Sequence, residues 1–351
     1  MNKHITTATT LLLLSTAHTS AQDLTLNSPS ATVNIQASLS ETNGLTLSVS
    51  YAGNNIADIT SMGLKMSDGT TLHTTGTPTT SLTRHQGVMT THLGEWSEHN
   101  DDYNTLTITY AADNQLDVEI RAYDEGFAWR YTATRNTAVN VSQDLACLTM
   151  KKPLTYWSES GAESGYTERN STSSFKSLCP LFATSNDLSI SIAEAANPAI
   201  GSQAQLSVTN STITFSQNAS TRLSKLTMPW RVVMMSKTQH NLQHAKYIMR
   251  SLNTETTDNT DYIKPGKVLR SLEAGTDDFH TDSVKNVIDF AQKIGCQYVL
   301  LDAGWYGLGY SQEKNKLSVP TTPRETLDMT EVMNHATAKN IGILLYVNKI
   351  A

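Results

Sequence analysis

The chain has 351 residues, two to three times the usual domain size, so one and a half to two domains with a sizeable core are expected. Its 26 Lys and Arg stand against 32 Asp and Glu, giving a net charge of −6, and no basic block is present that could neutralise a run of phosphates, which argues against nucleic acid as a partner. Thr, Ser and Asn are abundant, a balance that suits a β-rich protein outside the cytoplasm.

The N-terminus carries a cationic start at Lys3, an apolar run Leu11–Leu14 and a small-residue stretch ending Thr19-Ser20-Ala21. This pattern predicts a signal peptide over residues 1–21 and a mature chain from Gln22, hence a secreted or periplasmic protein. The apolar run is far short of the roughly 20 residues that cross a bilayer, so no membrane span is expected.

From Asp23 to about Lys225 apolar residues alternate in short runs broken by Asn, Gly, Asp and Ser. Val33/Ile35/Ala37, Leu45/Leu47/Val49 and Leu106/Ile108/Tyr110 each step by two, the period that turns one face of a strand to a core. Asn43-Gly44 and Ala52-Gly53-Asn54-Asn55 read as turns between them. So many strands predict a large two-sheet sandwich. Asp101-Asp102 reads as a solvated loop pair. Pro229–Met235 then reads as a buried strand, and Asn241–Leu252 has helical spacing through Leu242, Ala245, Ile248, Met249 and Leu252. The sandwich domain is thus placed at 22–253, with a strand and a helix as linker at its end.

After a polar stretch the rhythm becomes strand and helix by turns, which predicts a parallel sheet. Strands are expected at Lys267–Leu272, Gln297–Asp302 and Ile341–Val347, with helices at Thr281–Ile294 and Thr330–Lys339. Val299–Leu301 and Ile343–Leu345 are continuous apolar runs, as when both sheet faces are covered. Residues 262–351 read as the start of a (β/α)8 barrel, incomplete because such a barrel needs about 250 residues. The three cysteines, Cys147, Cys179 and Cys296, follow no metal-ligand spacing, which disfavours zinc. Cys147 and Cys179 either pair as a disulfide in an oxidising compartment or stay free, and Cys296 reads as a small buried filler.

Barrel chemistry stands at the carboxyl ends of strands. There, after Leu301, comes Asp302-Ala303-Gly304-Trp305-Tyr306-Gly307. A carboxylate beside aromatic rings suits a sugar, since Asp accepts hydroxyls and a ring covers the apolar side of a pyranose. A strand-terminating Asp with packed aromatics would look the same. No Gly-x-Ser-x-Gly elbow, dinucleotide glycine fingerprint or phosphate loop occurs.

Several phrases in order along the chain resemble glycoside hydrolase family 97. Tyr123–Tyr131 (YDEGFAWRY) is similar to the family's YDDGVAFRY, Ile192–Ala196 to its ITEA strand end, Met228–Val232 to TPWRV, Ile263–Val268 to IKPGKV, and Tyr298–Gly307 reads YVLLDAGWYG. After Val268 the family has a Trp-rich strand end, whereas Leu269–Glu273 has no Trp. The resemblance implies a multidomain β plus α/β protein, an N-terminal super-sandwich followed by a (β/α)8 barrel, acting as an exo-α-glycosidase on an oligosaccharide substrate. The YVLLDAGWYG wording is nearer the retaining α-galactosidase branch than the inverting α-glucosidase branch. The resemblance further implies a calcium ion with Glu194, the Glu of the ITEA phrase, among its ligands, an oxygen donor of the kind calcium takes. Glu163 is a second acidic candidate. Asp302 and Trp305 are assigned to substrate binding. The catalytic carboxylate pair is expected beyond residue 351, from the fourth barrel strand onward, so the 351 residues alone are expected to be inactive and monomeric. A carbohydrate-binding sandwich without hydrolase activity, or a periplasmic interaction protein, remains open at this level.

Overall fold

The computed structural model describes residues 10–12, 22–90, 96–110, 116–134, 139–161, 165–197, 203–216, 219–221, 225–253, 261–270, 279–302, 304–306 and 319–347. The chain divides into two compact units, Met1–Thr256 and Thr257–Ala351.

Among the described residues the first unit holds an 11-stranded and an 8-stranded sheet with a smaller 4-stranded one. Its ladders are antiparallel. Strand Val33–Ser40 buries Val33, Ile35 and Ala37 fully and turns Asn34, Gln36 and Ser38 outward. Its register sets Ile35 opposite Val49 and Ala37 opposite Leu47, and Leu47 lies opposite Ile59. Apolar faces therefore add up across strands, and together with Leu106, Ile108, Val118 and Ile120 of the large sheet they form one core.

Strand Trp230–Ser236 pairs with Gly126–Thr134 on one side and Ser189–Ala195 on the other. Val233 and Met235 face the sandwich core. Trp230, Val232 and Met234 face outward, where Leu242, Ala245, Tyr247, Ile248 and Leu252 cover them. The cover is the expected helix, which is built in three pieces: α1 (Gln239–Leu242), a tight 3-10 turn over Gln243–Lys246, and α2 (Tyr247–Ser251). Thr238 caps it by accepting a hydrogen bond from the Asn241 N–H at 3.2 Å. Gly126 is required where strands come closest, since a Cβ there would stand 2.4 Å from the Val233 carbonyl oxygen.

Of the two alternatives for Cys147 and Cys179, the structure shows free thiols, and one expectation is corrected in this unit. Asp101 and Asp102 belong to strand Glu98–Thr109 instead of a loop; Asp101 is buried, accepting the Ser251 hydroxyl at 2.5 Å and facing His85 at 3.2 Å, while Asp102 pairs with Arg84 at 2.8 Å. Carboxylates that find such partners tolerate a strand interior. Within the expected leader, Thr10–Leu12 pairs antiparallel with the edge of Thr79–Thr90.

The second unit has three parallel strands, Val268–Arg270, Tyr298–Leu301 and Gly342–Leu345, with Tyr298–Leu301 in the middle. Helices α3 (Thr281–Lys293) and α4 (Met329–Ala338) pack on the sheet through Val284, Val287, Ile288, Ala291, Val332 and Ala336. Lys285 bonds Glu331 at 2.6 Å, and Asp289 bonds both His335 and Lys339 at 2.9 Å. This is the βα order expected of a barrel's beginning. The apolar run Ile343–Leu345 is not covered on both faces, however, because its strand is an edge in the described sheet, and Leu344 and Leu345 are 40% and 47% exposed. Gly266, in the Lys264–Lys267 phrase, lies against the Gln297 and Tyr298 side chains, where a Cβ would fall 2.6 and 2.8 Å from them.

Candidate functional site

Asp302 follows directly on the middle strand Tyr298–Leu301, at its carboxyl end, and is only 4% exposed. The parallel register sets Arg270 opposite Leu300 and so delivers a guanidinium to the same end. Its Nε donates to Asp302 Oδ2 at 2.5 Å. A buried carboxylate held this way is oriented and its charge is paired.

Trp305 is 3% exposed and lies within the core of the second unit. Its indole N–H donates to the Tyr346 carbonyl at 2.7 Å, its own carbonyl accepts the Arg324 N–H at 3.0 Å, and its ring meets Tyr306 edge-on at 5.0 Å. The ring is a wall behind the turn, not an open platform. It ties the turn after Asp302 to the end of the last described strand.

Glu194 lies in the first unit, opposite Arg231 in the ladder. Its Oε2 accepts from Arg231 Nη1 at 3.2 Å and its Oε1 from the Ala204 N–H at 3.2 Å. Arg231 in turn donates from Nε to Asp144 Oδ2 at 3.0 Å and stands over the Phe215 ring at 5.0 Å. Burial pushes the Asp144 carboxyl up from its ordinary value, and Arg231 opposes that rise. Calcium needs six to eight oxygen ligands. Among the described residues no three His, Cys, Asp or Glu converge to hold a metal, and the one carboxylate the resemblance assigns is engaged by a guanidinium and a backbone N–H. Glu194 by itself supplies too few oxygen donors for a calcium ion, and among the described residues no group of three such ligands stands with it.

Glu163 lies outside the described residues. Sequence reading missed the Arg231–Asp144–Glu194 network, and also Arg121 and Arg130, which share Glu119 and stand over the Trp230 ring at 4.7 and 4.4 Å. An arginine inside an apolar strand was the available signal, because a buried guanidinium requires acidic partners.

Residues 26–254 match the family described as Glycosyl-hydrolase 97 N-terminal, and residues 261–351 match Glycoside hydrolase 97. A curated relative, the retaining α-galactosidase of Bacteroides thetaiotaomicron, is 28% identical over 131 residues, which cover 34% of this chain and 18% of that protein. Among solved structures, a glycoside hydrolase family 97 enzyme from Pseudoalteromonas sp. strain K8 in complex with panose superposes with a TM-score of 0.80 at 16% identity, over 91% of this chain and 53% of that one. A β-arabinopyranosidase superposes with a TM-score of 0.72 at 17% identity, over 92% and 55%. These likenesses are of fold, and the chain spans about half the length of those solved chains. Matched across both of its units, the chain belongs to glycoside hydrolase family 97.

Proposed function

We propose that the chain serves an exo-acting α-glycosidase, with an α-galactoside as the favoured substrate over an α-glucoside. The observation that carries the reading is Asp302, a buried strand-end carboxylate backed by Trp305, in a family whose members cleave glycosides. The preference for galactose rests on the YVLLDAGWYG phrase and on the likeness to a retaining α-galactosidase. Asp302 binds the sugar and Trp305 positions the turn that carries it. Glu194 keeps its contact with Arg231. The leader at 1–21 sends the protein to the periplasm or outside, where it acts as a monomer.

Glycoside cleavage needs two carboxylates across the scissile bond, one as acid and the other as nucleophile or base. Asp302 cannot fill both roles. The 351 residues are therefore expected to leave aryl α-galactosides and α-glucosides intact, while a chimera joining them to the carboxyl-terminal half of a family 97 α-galactosidase should hydrolyse the galactoside. Asp302→Ala should abolish that regained activity. Turnover by the 351-residue chain itself, lost in Asp302→Ala, would place the reaction at Asp302 and overturn the assignment. A chimera that binds but cleaves neither substrate would favour a binding role.

A further inference from the structure

His240 in α1 and His244 in the 3-10 turn that follows it are both exposed, their ring centres 6.3 Å apart and nearly perpendicular. Neither imidazole has a hydrogen bond or ion pair among the described residues, and the two rings meet edge to face. We propose that this pair is a chelating site for a borderline divalent transition ion, Cu²⁺ ahead of Ni²⁺ and Zn²⁺.

The donor type selects the ion. Neutral imidazole suits copper, nickel and zinc, with copper tightest in the usual order, whereas calcium takes hard oxygen ligands and should pass the pair by. Geometry agrees. An ion held by one nitrogen of each ring at about 2.0–2.1 Å leaves the ring centres roughly 4.5–5.5 Å apart, so side-chain rotation alone closes the observed gap.

The backbone beneath is already fixed. Thr238 caps the helix, Leu242, Ala245 and Ile248 are buried on its other face, Tyr247 donates its hydroxyl to Glu125 at 2.6 Å, and Ser251 donates to Asp101 at 2.5 Å. Chelation therefore orders two side chains and no main chain, which keeps its entropic cost low. Water completes the coordination of a two-nitrogen site, so the pair should hold the ion reversibly.

The test is calorimetric titration of the full chain with CuCl₂ and NiCl₂ in a non-coordinating buffer, beside His240→Gln and His244→Gln. Both positions are exposed, and circular dichroism should show both variants folded. Losing either ring removes the chelate, so each variant should bind Cu²⁺ roughly a hundredfold more weakly. Electron paramagnetic resonance of the copper complex should show two imidazole nitrogens in the native chain and one in each variant. CaCl₂ should neither bind at this pair nor compete. Unchanged copper affinity in both variants, or a two-nitrogen signal that survives His244→Gln, would overturn the proposal.

Discussion

Strand Trp230–Ser236 has a partner on each side and cover on each face, and every one of its 7 residues is buried. Strand Gly342–Leu345 is just as apolar in sequence, yet it has one partner in the described sheet and none of its four residues is buried. Their composition does not separate them. What differs is the number of elements that reach each strand, so an apolar run reports a demand for cover, and neighbours decide whether the demand is met.

The sharpest way to break this contrast is to place the same charge in both strands. Val232→Lys buries an ammonium between Trp230–Ser236 and its covering helix and should abolish cooperative folding of the first unit, since an unpaired buried charge costs several kcal/mol. Leu345→Lys should move the urea midpoint little, about 0.5 kcal/mol or less, and should lower the fluorescence of a hydrophobic dye bound to the native chain. Equal destabilisation by the two would mean that the Gly342–Leu345 strand is covered in solution.

Next in size is the buried network. Arg231→Leu leaves Asp144 and Glu194 without their cation, and urea denaturation at neutral pH should show a loss of about 3–5 kcal/mol. The sign of its pH dependence follows from Asp144. Burial already raises that carboxyl, and the variant removes the guanidinium that opposes the rise. A folded-state value above the unfolded one means that the folded state holds the proton more tightly; stability is fully present below the ordinary carboxylate range and is lost as pH rises through the raised value. The variant should therefore recover part of its deficit on acidification. A deficit that grows as pH falls would show that Asp144 is not the stranded charge.

How much of this was legible in the sequence varies with the distance over which each feature is encoded. Period-two runs such as Val33/Ile35/Ala37 describe their own strand, and their burial followed. The helix after Lys237 was legible through Leu242, Ala245 and Ile248, though not its tight middle turn, which no local residue type signals. Arg231 was legible as an anomaly only. Its partners sit 87 and 37 positions away, and nothing local distinguishes Asp144 from other acids. Asp302 was found from its place after an apolar run; its link to Arg270, 32 residues earlier, depends on parallel register, which sequence does not show. Trp305 was read as a sugar platform because an aromatic after a strand-end acid looks the same whether its face is open or packed.

Thiol chemistry gives a milder probe of the two units. Burial pushes the Cys179 thiol up to about 12, so at pH 8 only about one molecule in ten thousand carries the thiolate that reacts. Iodoacetamide should leave Cys179 unmodified in the native chain, while Cys296, half-exposed in the second unit, should react first. Peptide mapping after alkylation measures this directly. Modification of Cys179 at the rate of Cys296 would mean that the sandwich opens there on the timescale of labelling.

The smallest expected effect concerns the pair of helices in the second unit. Asp289 accepts hydrogen bonds from Lys339 and His335, which hold its carboxyl below the usual range. A depressed folded-state value contributes stability above the ordinary carboxylate range, and that contribution is lost as pH falls through the folded value. The group is nevertheless solvent-exposed, so water and salt screen the attraction, and the long Lys339 side chain gives up rotamer freedom to make it. The buried contacts of Val284, Val287, Val332 and Ala336 hold α3 to α4 whether or not the pair forms. Asp289→Asn should thus shift the urea midpoint by no more than experimental scatter in physiological salt, with a small deficit emerging at low ionic strength and neutral pH and disappearing on acidification. A large loss that persists in high salt would mean that the surface charges, not the apolar seam beneath them, join the two helices.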